Sequence, residues 1–456
     1  MRVANKRRRE FIGLSLTSMA TLGMLPLKRA VASVMSADVL VIGAGISGLA
    51  AAKDLVSKGK HVIVLEAQQV IGGRILTDRS LGSSLDLGAS WIHGINQNPL
   101  ASIASSLSLK TSPTDYDAIQ RYDFDGRELT ESEDRALEGR FDDLLDEIHQ
   151  VQKRTKVDRS LGATIDDLLR STNDSGFDLR GIHYSINTEI EHEYAADVSR
   201  MSLKYWNQDE SFPGGDVLLP GGFDAIIHFL AQGLDIRSSS VVEEIEYKGS
   251  EVNVKTSTGL YTAPRVIVTL PLGVLKAGAV KFSPSLPAPH LAAINRLGMG
   301  LLNKLYLRFP RNFWGSSDQL LGYVGLEQGQ WAEWYDFQRV TQEPILLGFN
   351  AASFAATVEG WSDDQTVASA MKVLRTMFGS SIPEPQGYQL TRWGKNPWAL
   401  GSYSYLSVGG SPRDCDVLSR PVSSKLFFAG EHTNKSFIGT AHGAYLSGLK
   451  ASRLIR

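Results

Sequence analysis

The sequence has almost no cysteine, since Cys415 is the only one in 456 residues. An intramolecular disulfide and a cysteine-based metal site are therefore excluded. The nine histidines are scattered, with no pair at H-x-x-x-H spacing, so we expect no structural metal. Internal repeats and low-complexity tracts are also absent. With 43% hydrophobic and 21% charged residues, the composition is typical of a globular chain long enough for two domains.

Long apolar runs are absent too, and the nearest approach to one is at the N-terminus. Basic residues at 6–9 precede a moderately apolar stretch at 11–27, and Ala30-Val31-Ala32 forms an A-x-A cleavage site. The pair Arg8-Arg9, followed by x-Phe and an apolar residue, resembles a bacterial twin-arginine signal. We therefore interpret residues 1–32 as a signal peptide read by the twin-arginine export machinery, which predicts a periplasmic or otherwise exported protein with no stable membrane span after cleavage. The alternative is an uncleaved membrane anchor.

The chain has no excess of positive charge. Without residues 1–32, which hold seven Lys or Arg and one Glu, the net charge would fall from −2 to about −8. A negative field argues against a nucleic-acid partner and weakly favours cationic substrates. An ordinary solvated surface accounts for the same excess of negative charge equally well.

Residues 38–66 have the pattern of a βαβ unit. A β-branched-rich strand is predicted at 38–42, an Ala-rich helix to about residue 57, and a second strand at 61–65. A G-x-G-x-x-G motif opens the helix, and the second strand ends on an acid about twenty residues further on. In such a site the glycines allow a tight turn and close backbone approach, the helix N-terminus faces a pyrophosphate, and the acid binds a ribose. The unit therefore predicts dinucleotide binding by Gly43, Gly45, Ile46, Ser47, Gly48 and Glu66.

A second glycine pair, Gly72-Gly73, is followed by Arg74. It offers another close backbone approach and a cation for the pyrophosphate. Nicotinamide enzymes do not usually carry this extension, whereas FAD enzymes of the glutathione-reductase-like type often do. FAD is therefore favoured over NAD, and the alternative is a surface turn with a solvated arginine.

The character of the chain changes after about residue 112. A charged segment at 131–154 has apolar residues spaced by three and four, which predicts a long helix in a separate domain. Strands are predicted again at 235–237, 240–247, 251–256, 266–270, 303–309 and 425–429, a helix at 364–377, and a final helix that opens near residue 439.

Together these stretches resemble the FAD-dependent amine oxidase family, and within it the polyamine oxidase branch. The likeness covers residues 36–456, and the motifs stand in family order. They are residues 41–51, Glu66 with 72–74, 88–94, 266–276, Asn303-Lys304, 401–404, 430–433 and 439–443.

The resemblance implies an α/β fold with two domains. A discontinuous Rossmann-like, glutathione-reductase-like FAD domain would occupy residues 36–112, 217–287 and 408–456. An α+β substrate domain, with a mixed sheet flanked by helices, would occupy residues 113–216 and 288–407. Ser402 stands where some relatives carry the flavin-linking cysteine, so FAD should be bound non-covalently.

The resemblance also implies a reaction. A C–N bond of a spermine- or spermidine-type polyamine would be oxidised by hydride transfer to flavin N5, the imine would hydrolyse to an aminoaldehyde and an amine, and O2 would be reduced to H2O2. One alternative is an L-amino-acid or aromatic monoamine oxidase. An amino-acid oxidase needs a cation for the substrate carboxylate, and Arg200 or Arg339 could supply it. Another alternative is a flavin-fold protein that binds a partner without turnover.

Carried over residue by residue, the resemblance gives three sets of site residues. Lys304, which holds a water near N5 in the family, Tyr403 and His93 would be catalytic. Glu193, Trp91, Tyr403 and Thr440 would contact the amine substrate. The cofactor set adds, to the residues named above, Ala67, Gly88, Ala89, Ser90, Trp91, Val242, Trp393, Gly430, Glu431, Thr440 and Ala441.

Four of these residues have a plainer interpretation. Lys304 lies on the more polar face of an alternating strand and would simply be solvated. His93 would be a structural histidine bonded to backbone, Glu193 a helix-surface acid, and Tyr403 a core residue.

Overall fold

A five-stranded parallel sheet, the central sheet, carries the predicted dinucleotide loop. The structure is a computed structural model, and it describes residues 34–172, 174–315 and 317–455. Four of its five strands are largely apolar and buried, as is usual for parallel sheets covered by helices, whereas the edge strand Asp235–Arg237 is partly exposed. In spatial order they are Asp235–Arg237, Val62–Leu65, Val39–Ile42, Arg265–Val268 and Leu426–Phe428.

A second five-stranded sheet, of mixed direction, packs its apolar side chains into the same core as one face of the central sheet. Its strands, in order, are Met35–Ser36, Gly259–Ala263, Val252–Thr256, Val242–Glu246 and Lys281–Ser283. The helix Ile46–Ser57 covers the other face of the central sheet and packs against the helix Ala441–Arg453. The predicted βαβ unit is therefore present, with strand and helix bounds within about a residue of those expected.

A six-stranded sheet forms a separate core. It is antiparallel except at one edge, where Ile119–Asp123 pairs in parallel with Leu320–Val324. Its strands, in order, are Gly387–Leu390, Leu302–Arg308, Ile345–Ala351, Glu333–Asp336, Leu320–Val324 and Ile119–Asp123. Shorter pairings join Gly298–Met299 with Ser404–Tyr405, Thr77–Asp78 with Leu85–Asp86, and Asp216–Leu218 with both Trp91–Ile92 and Ser112–Thr114.

The helical part includes the predicted charged helix, Glu131–Arg154, which begins with a capping box formed by Thr130 and Glu133. A π-helix at Ile186–Glu191 continues the helix Phe177–Ser185 and runs into His192–Tyr194. The other helices are Pro99–Ser106, Leu161–Leu169, Asp224–Ala231, Leu272–Lys276, Ala288–Arg296, Gln338–Thr341, Ala352–Glu359, Asp363–Phe378 and Pro412–Leu418, with a 3₁₀ turn at Glu431–Thr433.

The expected fold class is confirmed, with a parallel nucleotide-binding sheet and a mixed sheet flanked by helices. The exact domain boundaries stay a prediction. The predicted signal at residues 1–32 lies outside the described residues. Within those residues, no helix has the length and hydropathy needed to cross a bilayer, and no group of His, Cys, Asp and Glu side chains forms a metal site.

Candidate active site

A single cavity of about 810 Å³ brings together nearly all of the predicted site residues. It runs from the glycine loop of the central sheet to the six-stranded sheet. Gly48 is the one predicted residue that does not line it. The motifs found in the sequence, although separated by hundreds of residues, thus converge on one space.

The glycine loop is shaped to admit a ligand. A Cβ added to Gly48 would lie 2.0 Å from the Gly43 carbonyl oxygen, so a side chain there would separate the helix from the loop. A Cβ added to Gly45 would meet only the Gly72 oxygen, at 3.8 Å, and would otherwise occupy the cavity. The short distance at Gly48 shows how tightly the helix packs on the loop. The open space at Gly45 leaves the backbone accessible to a phosphate group.

Glu66 secures this loop. Its carboxylate accepts hydrogen bonds from the N–H of Ala44 at 2.7 Å and of Gln68 at 2.9 Å. Burial raises the pKa of Glu66, and the backbone donors oppose that rise. The cavity surface beside it is completed by Ala67 and Val242, as expected for an adenosine pocket.

Arg74 and Glu431 join two motifs at the middle of the cavity. The Arg74 guanidinium donates to Glu431 Oε1 at 2.9 Å and to the Ser402 carbonyl at 2.8 Å. Burial alone would raise the pKa of Glu431, but the charges of Arg74 and His432 lower it. Arg74 was expected to neutralise a pyrophosphate, and the structure shows that much of its charge already balances Glu431.

The final helix begins at Ala441, and its first turn lines the cavity. The Thr440 hydroxyl accepts from the Gly443 N–H and donates to the Phe437 carbonyl, both at 2.9 Å. Because this hydroxyl already caps the helix, the expected substrate contact of Thr440 would fall to its methyl group. The helix N-terminus itself favours a partial negative charge at this end of the cavity.

Lys304 is buried, with only 5% of its surface exposed. Its Nζ donates to the carbonyls of Asp86 at 3.0 Å and Gly88 at 2.7 Å, and also to Ser90 Oγ. Burial lowers the pKa of Lys304. The interpretation of Lys304 as a solvated strand residue is therefore wrong, because the strand Leu302–Arg308 is buried on both faces.

Two tryptophans flank Lys304. Its Nζ lies 5.4 Å from the centroid of the Trp91 ring, whose Nε1 donates to Thr114 Oγ1 at 2.8 Å. Trp393 Nε1 donates to the Leu87 carbonyl at 3.2 Å. Both rings are thus fixed by their own polar atoms, and both line the cavity.

His93 is held by a carboxylate rather than by backbone. Its Nδ1 lies 2.6 Å from Asp216 Oδ2, and Asp216 also accepts from the Gly94 N–H and the Tyr116 hydroxyl. Burial by itself would lower the pKa of His93, but the hydrogen bond and charge of Asp216 raise it. The imidazole is half exposed and lines the cavity, so its second nitrogen is available to a ligand.

The π-helix places several polar side chains in the cavity. Thr188 and Glu189 on the π-helix, together with His192 and Glu193 just after it, all line the space. The wider π turn brings positions spaced by four and five onto one face, which a regular α-helix does less well. Glu193 therefore faces the cavity and not the outer surface of a helix.

Glu189, Glu193 and Glu333 form what we call the acidic wall. Burial raises the pKa of Glu189 most, and the nearby charge of Glu333 raises it further. Burial likewise raises the pKa of Glu193, while the charge of His93 lowers it. Burial and neighbouring negative charge disfavour the ionised form of these carboxylates, so a bound cation would stabilise it.

Next to this wall, His192 Nδ1 lies 3.7 Å from Glu333 Oε1, and neither nitrogen of this buried ring has a hydrogen-bond partner within the protein. The Tyr403 hydroxyl donates to the His192 carbonyl at 2.5 Å. Tyr403 thus offers its ring face to the cavity while its hydroxyl is engaged elsewhere.

Besides Arg74, one more arginine lines the cavity, and it is neither of the two considered from the sequence. Arg200 and Arg339 are not among the lining residues, whereas Arg121 is. The Arg121 guanidinium donates to Asp134 at 3.2 Å and to Glu138 at 2.9 Å. Two carboxylates therefore compensate its charge.

The profile of the family described as flavin-containing amine oxidoreductase matches residues 46–456. The chain belongs to this family. It is 36% identical over 430 residues to Polyamine oxidase 4 of Oryza sativa subsp. japonica, an alignment that covers 91% of this chain and 88% of that protein. It is 35% identical over 430 residues to Lysine-specific histone demethylase 1 homolog 3 of the same plant, covering 90% of this chain but only 53% of that protein. The chain thus spans about half the length of the demethylase.

Among solved structures, the fold is similar to wild-type putrescine oxidase bound to putrescine. The TM-score is 0.77 at 21% sequence identity, and the alignment covers 92% of this chain and 99% of the other. At this identity the likeness shows the shared fold alone.

The amine oxidoreductase family uses FAD, and the residues present fit it. The open backbone at Gly45 and the ribose-side acid Glu66 suit the ADP half. The tryptophan faces, Lys304 and the first turn of the final helix suit a flat ring with an electron-rich end. FAD is therefore the cofactor of this protein.

Sequence reasoning missed several cavity residues. Asp216 becomes important only because it pairs with His93, Tyr116 because it donates to Asp216, and Glu333 because it lies near His192 and Glu189. Their local sequences carry no motif that would have marked them. The segment 189–193 contains three glutamates, but nothing in its sequence signals a π-helix.

Proposed function

We propose that this protein oxidises a C–N bond of a polyamine of the spermine or spermidine type, with O2 as the electron acceptor. The observation that carries the proposal is the acidic wall, which lies in the same cavity as Lys304 and Trp393. A polyamine is a chain of separated ammonium groups, so it needs carboxylates at a distance from the reacting bond. Glu189, Glu193 and Glu333 supply them.

The side chains divide the work. His93, held by Asp216, accepts a proton from the ammonium that must become a neutral amine before oxidation. Tyr403 covers the reacting amine with its ring face, while the acidic wall holds the remaining ammonium groups. Bound FAD would supply the redox chemistry, in which a hydride equivalent leaves the carbon of the C–N bond and O2 takes up the electrons as H2O2. The imine then hydrolyses to an aminoaldehyde and an amine.

Two comparisons support this substrate class. One relative is named a polyamine oxidase, and the chain covers most of its length. A structural neighbour is a putrescine oxidase that holds a diamine. Ser402, whose hydroxyl is hydrogen-bonded to the backbone of Leu302, stands where a linking cysteine would be, which supports non-covalent FAD.

An L-amino-acid oxidase is the main competing function. It would need a free cation for the substrate carboxylate. Among the described residues, two arginines line the cavity, and both are already paired: Arg74 with Glu431, and Arg121 with Asp134 and Glu138. The acidic wall also lies in this cavity. A carboxylate would therefore be repelled. A purely binding role would not require a buried lysine such as Lys304, whose Nζ donates to Asp86, Gly88 and Ser90.

The test is flavin bleaching without oxygen. The purified protein is mixed with spermine, spermidine, putrescine, a monoamine and several L-amino acids, and the loss of flavin absorbance is followed. Bleaching by polyamines, and not by the other compounds, is the expected result. Bleaching by amino acids or monoamines alone would overturn the substrate class, and no bleaching by any of them would favour the binding role.

We also propose that residues 1–32 direct export by the twin-arginine route. This route carries folded proteins, which suits an enzyme that takes up its cofactor before crossing the membrane. A reporter fused after residue 35 should reach the periplasm only when Arg8 and Arg9 are intact. Export of a variant with both arginines replaced by lysine would contradict the twin-arginine route.

A further inference from the structure

A buried carboxylate outside the cavity connects Lys304 to Trp393. Glu359 is the last residue of the helix Ala352–Glu359, and only 5% of it is exposed. Its Oε1 accepts from Asn303 Nδ2 at 3.0 Å and from the Gly394 N–H at 2.8 Å. One oxygen atom therefore joins a helix, a strand of the six-stranded sheet and the loop that carries Trp393.

The network continues through the amide of Asn303. Its Oδ1 accepts from the Trp393 N–H at 2.9 Å and from the Thr391 hydroxyl at 3.0 Å. The Thr391 Oγ1 in turn accepts from the Lys304 N–H at 2.9 Å. Through three side chains, Glu359 thus reaches the backbone of both residues that flank the flavin site.

The chemistry of the Asn303 amide gives Glu359 a directing effect. An asparagine amide has a donor end and an acceptor end, and a flip exchanges them. Because Glu359 is acceptor-only, it keeps Nδ2 on its own side and Oδ1 toward Trp393 and Thr391. A flipped amide would set its NH2 against the Trp393 N–H and its oxygen against the carboxylate, leaving buried groups unpaired.

We propose that Glu359 is a positioning residue for amine oxidation. By fixing the orientation of Asn303, it sets the positions of Lys304 and Trp393, two of the residues that would hold the flavin. Small displacements of such groups are costly, since about 1 Å of misplacement can slow an enzyme about 100-fold. This inference rests on the family's chemistry and on FAD, and it holds whichever amine is the substrate.

The test compares two variants that separate charge from hydrogen bonding. Glu359→Gln keeps an oxygen for Asn303 and Gly394, whereas Glu359→Ala removes it. Hydrogen exchange at the Trp393 and Gly394 N–H groups, measured on the FAD-free protein, should speed up at least about tenfold in the alanine variant. It should change little in the glutamine variant.

The same variants are then loaded with FAD. In Glu359→Ala we expect a shifted flavin absorption band and flavin reduction slowed about 10- to 100-fold by whichever amine reduces the parent protein. Glu359→Gln should restore both. If the alanine variant does not fold, Glu359→Asp, which draws the oxygen back by one methylene, takes its place with the same expectations.

The control is Asp158→Ala. Asp158 accepts from Ser202 Oγ and from the N–H groups of Lys204 and Gly409, and it does not line the cavity. Its loss should lower the melting temperature without changing the flavin band. Equal slowing in the control, parental exchange and reduction rates in Glu359→Ala, or no rescue by glutamine would each overturn the proposal. If no amine reduces the parent, the exchange and absorption readouts still decide it, and the failure then belongs to the proposed function.

Discussion

Arg74 and Glu431, which are 357 positions apart in the sequence, form an ion pair with 2.9 Å between Nη1 and Oε1. The carboxylate side chain is only 4% exposed. In Arg74→Met this charge would be buried without its partner, which typically costs about 3–5 kcal/mol. We expect that loss in the free energy of unfolding, measured by urea denaturation. Arg79→Met, which breaks the half-exposed pair with Asp224, is the control and should cost about 1 kcal/mol or less.

The same pair predicts a pH dependence. The pKa of Glu431 is lower in the folded protein than its ordinary value of 4.5. The stabilisation is therefore fully present above pH 4.5 and is lost as the pH falls through the lower folded pKa. Thermal unfolding of the parent should show this loss, and Arg74→Met should show a flatter acid limb. An equally steep limb in the variant would assign the acid sensitivity to other carboxylates.

Lys304→Met should slow the flavin half-reactions strongly while FAD stays bound. Methionine keeps most of the side-chain volume but removes the ammonium that Asp86, Gly88 and Ser90 surround. Loss of a positioned proton donor typically costs about 10²-fold or more, and stopped-flow reduction and reoxidation measure it. Lys276→Met is a matched control, since its Nζ also donates to three carbonyls, those of Ile294, Asn295 and Leu297. Unchanged turnover in Lys304→Met would remove Lys304 from the chemistry.

Glu193→Gln should weaken the apparent affinity for a polyamine more than that for a monoamine. The substitution keeps the side-chain size and removes one negative charge from the acidic wall. A tenfold difference corresponds to about 1.4 kcal/mol, a plausible value for one partly buried charge pair. Apparent dissociation constants come from the dependence of flavin reduction on amine concentration. Equal effects on both amines would take Glu193 out of the substrate site.

Asp216→Asn should shift the titration of His93 to lower pH. Asp216 raises the pKa of His93 against the lowering effect of burial, so without the carboxylate the imidazole loses its proton at a lower pH. Asparagine can still accept from the Gly94 N–H, which limits the structural damage. The measurement is the pH profile of anaerobic flavin reduction, supported by the NMR titration of His93. A profile that does not move would mean that His93 takes no proton from the substrate.

The ADP-binding part of the site could be predicted from the sequence because its residues are close together in the chain. Gly43 to Glu66 lie in one βαβ unit, and their roles follow from spacing alone. The substrate half depends on neighbours from other segments. Asp216 is paired with His93 across more than a hundred residues. The π-helix is not indicated by any periodicity in the sequence. Lys304 shows the same limit, since alternation along its strand suggested a polar face that the six-stranded sheet in fact buries.

The strand Leu426–Phe428 completes the central sheet, and Glu431 and the final helix follow it directly. During translation the glycine loop leaves the ribosome first, and these parts of its cavity leave long afterwards. A nascent chain ending at residue 425 would carry the whole βαβ unit but lack the partner of Arg74 and the turn at Thr440. The complete cofactor cavity can therefore exist only after synthesis has passed through almost the entire chain.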